Sequence, residues 1–174
     1  MSVKKGPSGR RSVRVEIEVP GSTQSAAERR SAEAQVRAGI AKFAPAHRRL
    51  VSAMRRSLRR RLPTAHEVVY EYRDWFVISY SPNEHGYEGV LGIRGSADGV
   101  GLFLNRGKEL PDPEKLLSGT GKQVRSIQLE SASTIARPAV VRLIEEAIAR
   151  NEVPFARTGR GPVTIRSASA KKKK

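Results

Sequence analysis

The sequence contains no cysteine, few aromatic residues and no long apolar run. The absence of cysteine excludes disulfides, thiolate metal sites and cysteine nucleophiles. No segment approaches the roughly 18 consecutive apolar residues that a membrane helix requires, and no apolar stretch follows the charged N-terminus as it would in a secretory signal. Aromatic residues make up 5% of the chain, so we expect a mainly aliphatic core. These absences predict a cytoplasmic protein without a membrane partner.

Acidic residues are scarce outside the middle of the chain. The sequence has 33 Lys and Arg against 17 Asp and Glu, a net charge of +16. Residues 1–61 hold 16 basic and 4 acidic residues, residues 62–130 hold 7 and 10, and residues 131–174 hold 10 and 3. A neutral folded unit with basic arms has this asymmetry, and a polyanion such as nucleic acid is the natural partner of such arms.

Three segments have the patterns of helices. The first begins with a capping box in which Ser25 precedes Glu28 by three residues. The second, Pro45–Leu62, has an apolar stripe at helical spacing. The third begins at Pro138, which suits the first turn of a helix.

The second helix carries seven arginines opposite its apolar stripe and no acidic residue. One interpretation is a solvated face on which long side chains cover the apolar rim. The other is a polyanion-binding face, because this many uncompensated arginines exceed what solubility requires. For the second interpretation the candidate nucleic-acid-binding residues are Arg48, Arg55, Arg56, Arg59 and Arg60.

Strand patterns fill most of the rest and define the expected organisation. We expect a basic arm at residues 1–24 with a short strand at Arg11–Val19, a domain at residues 25–152, and a flexible basic tail at residues 153–174. Within the domain, the strands are expected at Val68–Tyr72, Trp75–Tyr80, Glu88–Arg94, Val100–Asn105 and Lys122–Leu129. The third and fourth of these are expected to form a hairpin through residues 95–99.

Six of the nine aromatic residues lie between positions 70 and 87. They can fill a core around the first strands, or they can line a pocket with the tyrosine hydroxyls turned inward. Because they occupy both faces of the Trp75–Tyr80 strand, some of the rings cannot be in the core. The sequence therefore places a candidate small-ligand cleft near Tyr72 and Trp75.

Two other motifs suggest chemistry. Glu67, Glu71 and Asp74 lie close to His66 in the acidic middle, and oxygen-rich sites of this kind suit iron or similar cations, although the spacing matches no known ligand pattern. Residues 118–122, SGTGK, resemble a phosphate loop, but Leu116 and Gln123 break that motif. A tight turn and an anion held by Lys122 both remain open. No nucleophile elbow is present, so we expect a non-catalytic protein.

Several of these residues together resemble the YdhG-like domain of unknown function. The similarity covers about residues 40–150: Leu62-Pro63 with Glu67 following, the segment Tyr70-Glu71-Tyr72, and above all residues 103–125, FLNRGKELPDPEKLLSGTGKQVR. The resemblance implies an α+β, frataxin-like two-layer sandwich, an antiparallel sheet covered on one face by N- and C-terminal helices.

The resemblance also implies a function and a shared site. One branch of the family is described as an intracellular iron chaperone, so iron is the implied metal. The positions that match the family pattern are Glu67, Tyr72, Gly107, Lys122 and Arg125. Two of them also have structural interpretations: Gly107 as a turn residue with positive φ, and Arg125 as a salt-bridge partner of Glu67 or Asp112.

The leading hypothesis is therefore a small-ligand or metal-binding domain. Its candidate ligand-binding residues are Glu67, Tyr72, Trp75, Lys122 and Arg125, and its candidate metal ligands are Glu67, Glu71 and Asp74. The alternative is a nucleic-acid-associated protein that holds phosphates through the arginine-rich helix 45–62 and the lysine tail.

Overall fold

The computed structural model of the protein describes residues 24–85 and 88–167. The expected Arg11–Val19 strand and the four C-terminal lysines lie outside these residues. In chain order the helices are α1 (Ala26–Ala41), α2 (Pro45–Arg61) and α3 (Pro138–Ala149). The strands are β1 (His66–Glu71), β2 (Trp75–Ser81), β3 (Leu91–Ser96), β4 (Gly99–Leu104), β5 (Arg125–Leu129) and β6 (Val163–Ser167). The fold class is α+β, as expected.

The three helices begin where the capping box and the prolines of the sequence predict. The Ser25 backbone N–H donates to the Glu28 carboxylate, and the Glu28 N–H donates to the Ser25 hydroxyl, which completes the capping box of α1. Pro45 and Pro138 occupy the first turns of α2 and α3, where the missing N–H costs nothing.

The six strands form one sheet in the order β5-β4-β3-β2-β1-β6. Neighbouring strands from β1 to β5 are antiparallel, and Ala97-Asp98 joins β3 to β4 in a turn shorter than the expected 95–99 loop. Gly99 ends that turn with φ of +145°, which an L side chain rarely adopts. β5 begins at Arg125 rather than at Lys122.

The prediction of a flexible tail at residues 153–174 is wrong within the described part of that range, which ends at residue 167. β6 lies within that range and pairs in parallel with β1, with Val69 opposite Ile165. The sheet is therefore mixed and not purely antiparallel. Val163 is 2% exposed and belongs to the core, while its backbone N–H and C=O bond to the side-chain amide of Gln24.

All three helices pack on one face of the sheet. Their apolar residues join alternate residues of the strands in a single cluster that includes Val51, Met54, Ile78, Leu102 and Ile144. Burying this aliphatic surface supplies the main driving force for folding. The other face carries no helix within the described residues, and we call it the open face.

Candidate functional site

The open face is lined by alternate residues of every strand. The register places Arg166, Tyr70, Val77, Arg94, Gly101 and Gln128 in one row across the sheet. Trp75 and Ser96 lie in the adjacent row. Tyr72 and Trp75 are 37% and 36% exposed, so they do not contribute to the core as Phe76 and Tyr80 do. The sequence-based inference that some of these rings lie outside the core is confirmed.

Planar side chains on the open face stack in a series. The rings of Tyr70 and Tyr72 are 6.3 Å apart and nearly parallel, and those of Tyr72 and Trp75 are 4.9 Å apart. The Arg94 guanidinium lies 3.9 Å from the centre of the Trp75 ring, a cation–π contact. Arg94 makes no hydrogen bond or ion pair with any described residue, so its N–H groups are available to a ligand.

A depression of about 470 Å³ lies beside this stack. We call it the open-face cleft; its main lining residues are Trp75, Arg94, Gly101, Phe103, Ser126 and Gln128. The cleft exists because its floor has small side chains: Gly101 has none, and Ser126 is short. Trp75 and Arg94 form one wall, and Phe103 forms another.

A second concavity of about 740 Å³ runs between α2 and the ends of β4 and β5. We call it the α2 groove; its polar lining residues include His47, Arg48, Arg49, Arg56, Asp98 and Glu130. The three arginines are exposed, and their guanidinium groups have no carboxylate partner among residues 24–85 and 88–167. The groove therefore has a cationic wall on the helix and two carboxylates on the sheet side.

The two concavities meet at the turn between β3 and β4. Asp98, Gly99 and Gln128 line both of them. The open-face cleft and the α2 groove are therefore adjacent at this end of the sheet.

Two of the five arginines predicted to bind nucleic acid are instead paired with carboxylates of the protein itself. Arg55 is 8% exposed, and its guanidinium makes paired hydrogen bonds to Glu67, at 3.1 and 2.7 Å, and to Glu33, at 2.8 and 3.2 Å. Arg59 donates to Glu33 at 2.9 Å. These two arginines are occupied by carboxylates, which corrects their assignment as phosphate ligands. Arg48, Arg56 and Arg60 are exposed, as that prediction requires.

Glu67 belongs to this buried cluster and not to the open face. It is 3% exposed and also accepts a hydrogen bond of 2.9 Å from the Tyr80 hydroxyl. Burial and the charge of Glu67 raise the pKa of Tyr80 well above its ordinary value. Burial lowers the pKa of Arg55, but hydrogen bonds to Glu67 and Glu33 outweigh it, and the net shift is upward. The cluster links α1, α2, β1 and β2. Both carboxylate oxygens of Glu67 accept hydrogen bonds within it, so Glu67 is not available to a ligand.

The predicted residues near the start of β5 do not join either concavity. The Arg125 guanidinium donates to the backbone carbonyls of Gly121 and Val124, so the expected salt bridge to Glu67 or Asp112 is wrong. Lys122 is exposed in the preceding loop. Gly107 does not have positive φ; glycine is required there because a Cβ would lie 2.5 Å from the Cβ of Arg125.

The three candidate metal ligands do not converge. Glu67 is bound by Arg55 and Tyr80, Glu71 pairs with Lys42, and Asp74 is exposed beside Arg73. Within residues 24–85 and 88–167, no group of three His, Asp or Glu side chains could hold a metal ion. These residues do not fit the iron site implied by the YdhG-like resemblance, and we derive no chemistry from it.

Sequence reasoning missed Arg94, Gly101, Phe103 and Gln128. The alternation of the Glu88–Arg94 and Val100–Asn105 segments could have placed the first three on one sheet face. The side chains that lie beside them are set by the register between strands, which cannot be read from the local sequence pattern.

None of the helices in the described part of the chain combines the length and apolar character needed to cross a membrane. Comparisons with protein-family models, with curated proteins and with solved structures find no match to this chain.

Proposed function

We propose that the open-face cleft binds a planar aromatic ligand with negative charge, the chemistry of a nucleotide. The observation that carries the proposal is the wall of Trp75 and Arg94 beside a floor without large side chains. Aromatic rings and guanidinium planes are the groups on which proteins stack bases. A sheet face that presents both, and that no helix of the described residues covers, supports binding of such a ring.

The charge of the ligand follows from Arg94. No described carboxylate accepts a hydrogen bond from its guanidinium, and the planar fork of these N–H donors fits a phosphate. Gln128 and Asp98 lie at the end of the cleft and offer both donors and acceptors to the edge of a base. Stacking contributes about 1–3 kcal/mol per base and a hydrogen bond from the charged Arg94 about 1.5–3 kcal/mol, so a single nucleotide should bind in the millimolar range.

The protein itself contains the reporter for this proposal. Trp75 is the only tryptophan in the chain, so its emission reports on the cleft alone. Titration with adenosine monophosphate should quench it saturably. Inorganic phosphate should quench it far less because it has no ring to stack, and adenosine should bind more weakly because it lacks the charge. Unchanged emission at millimolar nucleotide would refute the proposal, and equal affinity for adenosine would remove the anionic part of it.

A pair of arginine variants makes the test specific. Arg94→Gln keeps Trp75 as reporter and should lower the nucleotide affinity by about tenfold, the loss of roughly 1.4 kcal/mol. The matched control is Arg137→Gln, because Arg137 is an exposed arginine at the start of α3 that does not line the cleft. An equal loss in both variants would mean that net charge, and not the Trp75–Arg94 wall, holds the nucleotide.

We also propose the YdhG-like, frataxin-like assignment for the domain. The packing of all three helices against one face of the sheet supports it. The parallel strand β6 is an addition to the antiparallel sheet that the resemblance implies. The proposed role is binding and not catalysis, and a cytoplasmic location remains a prediction.

A further inference from the structure

We propose that the ligand is a single-stranded nucleic acid that passes from the open-face cleft, around the β3–β4 turn, into the α2 groove. This inference rests on the proposed function, and it goes further by naming a polymer. It predicts that bases occupy the cleft while backbone phosphates contact arginines in the groove.

The open-face cleft and the α2 groove are continuous around the β3–β4 turn. Asp98, Gly99 and Gln128 line both concavities, so the cleft and the groove form one path around the end of the sheet. A mononucleotide needs only the cleft. The groove, at about 740 Å³, is the larger of the two and would serve no part of such a small ligand.

The kind of side chain that lines the path differs between the cleft and the groove. The cleft has aromatic walls, which suit bases, and the groove has a cationic helix wall, which suits phosphates. Arg49 and Arg56 are seven residues apart on α2, so they point to the same side about 10 Å apart along the axis. Arg60 continues the same side by one further turn. The arginines therefore form a row and not a single anion site.

The carboxylates of the groove restrict where the single-stranded nucleic acid can lie. Asp98 and Glu130 line its sheet side and would repel phosphates there. The phosphates are consequently directed to the helix wall.

A nucleic-acid duplex does not fit this path. Stacking on Trp75 and Arg94 requires bases that are free of their own partners. A path around the end of a sheet also requires a sharp bend, whereas duplex DNA has a persistence length of about 150 bp. Only a flexible single strand satisfies both conditions.

The experiment compares a mononucleotide with an oligonucleotide on the full chain. Adenosine monophosphate and an oligodeoxyadenylate of about ten nucleotides, within the range of known single-strand sites, are titrated against Trp75 emission. The oligonucleotide should bind at least about a hundredfold more tightly per molecule, because its roughly ten equivalent bases would give about tenfold without any contact in the groove. The double variant Arg49→Gln/Arg56→Gln should lose about tenfold in oligonucleotide affinity and nothing in mononucleotide affinity.

Salt dependence provides a second readout. On single strands each neutralised phosphate contributes about 0.7 to the slope of log affinity against log salt. The double variant should therefore bind with a slope shallower by about 1.4. A duplex of the same length should compete poorly.

The matched control is Arg30→Gln/Arg37→Gln on α1. These two arginines have the same spacing of seven, are exposed, and line neither concavity. An equal loss in the control pair overturns the inference, because binding would then follow net charge. Equal competition by the duplex overturns it as well.

The outcomes also separate this inference from the proposed function. If the mononucleotide quenches Trp75 but the oligonucleotide binds no more than about tenfold more tightly per molecule, the polymer is refuted and the nucleotide site stands. If neither ligand changes Trp75 emission, the proposed function fails and the inference fails with it.

Discussion

The guanidinium of Arg55 and the carboxylate of Glu67 form a bidentate ion pair between α2 and β1, with 10% and 4% of their side chains exposed. The sequence suggested two different roles for them, phosphate binding for Arg55 and ligand binding for Glu67. Their pairing gives both residues a structural role. The exposed arginines of α2 are therefore the ones that remain available to bind a partner.

Arg55→Met should destabilise the protein by about 3–5 kcal/mol, because it leaves the Glu67 and Glu33 carboxylates without their main partner in a buried site. Urea unfolding measures the change in the free energy of unfolding. Arg49→Met, at an exposed position on the same helix, should change it by no more than about 0.5 kcal/mol.

The charge left behind, rather than lost packing, should cause most of that effect. Adding Glu67→Gln to Arg55→Met should therefore recover part of the stability, since the amide still accepts from the Tyr80 hydroxyl. A loss below about 1 kcal/mol for Arg55→Met would contradict the buried pairing.

Tyr80 should make the protein sensitive to alkaline pH. Its pKa is raised in the folded state, so its contribution is complete below the ordinary value of 10.0 and decreases as the pH rises above it. The free energy of unfolding should fall there by about 1.4 kcal/mol per pH unit for this proton.

Tyr80→Phe isolates that contribution from the titration of lysines. At neutral pH the variant should be less stable by about 1 kcal/mol, because it loses the hydrogen bond to Glu67. Above pH 10 the difference should shrink and reverse, as measured by denaturant midpoints across the pH range. Parallel pH profiles for the two proteins would be the contrary result.

Gly101→Val should fill the open-face cleft without harming the fold. The nearest atom to an added Cβ is the Ile127 carbonyl oxygen at 3.6 Å, an ordinary contact, and valine favours strands more than glycine does. Stability should stay equal or rise by about 0.5–1 kcal/mol, while nucleotide quenching of Trp75 disappears.

Gly92→Ala is the contrasting variant on the neighbouring strand. Its Cβ would lie 2.3 Å from the Ile78 carbonyl oxygen, so it should destabilise the sheet by about 1–3 kcal/mol. Nucleotide binding by Gly101→Val at the wild-type level would show that the ligand lies elsewhere.

Gly161→Ala should weaken the attachment of β6. A Cβ there would lie 1.7 Å from the Ala65 carbonyl oxygen, so the backbone must move away from the loop before β1. We expect a loss of about 1–3 kcal/mol and faster amide hydrogen exchange in β1. Exchange in β4, which lies on the far side of the sheet, serves as the internal reference and should change less.

Local patterns predicted the helices and the antiparallel strands but not β6. Ser25, Pro45 and Pro138 mark helix starts by their own backbone chemistry, and alternation identifies β2 and β4 without knowledge of their neighbours. β6 shows only Val163 and Ile165 on its buried side. Its stability comes from β1, a hundred residues away along the chain, and no local signal carries that information.

The same reason explains which residues of the candidate site could be predicted from the sequence and which could not. Tyr72 and Trp75 could be predicted because aromatic residues on both faces of a strand cannot all be buried. Arg94 could not, because its contact with Trp75 depends on the β2–β3 register. Arg55 could not be told from Arg56, since their difference lies in Glu33 and Glu67 on other elements.

The Gln24 amide at the outer side of β6 has a consequence for self-association. An unpaired edge strand is a template on which a second chain can extend the sheet and begin an aggregate. Gln24 occupies the outward N–H and C=O of Val163, which are the groups that an incoming strand would meet first. Within the described residues, one side chain thus shortens the ladder that β6 offers to a second copy of the chain.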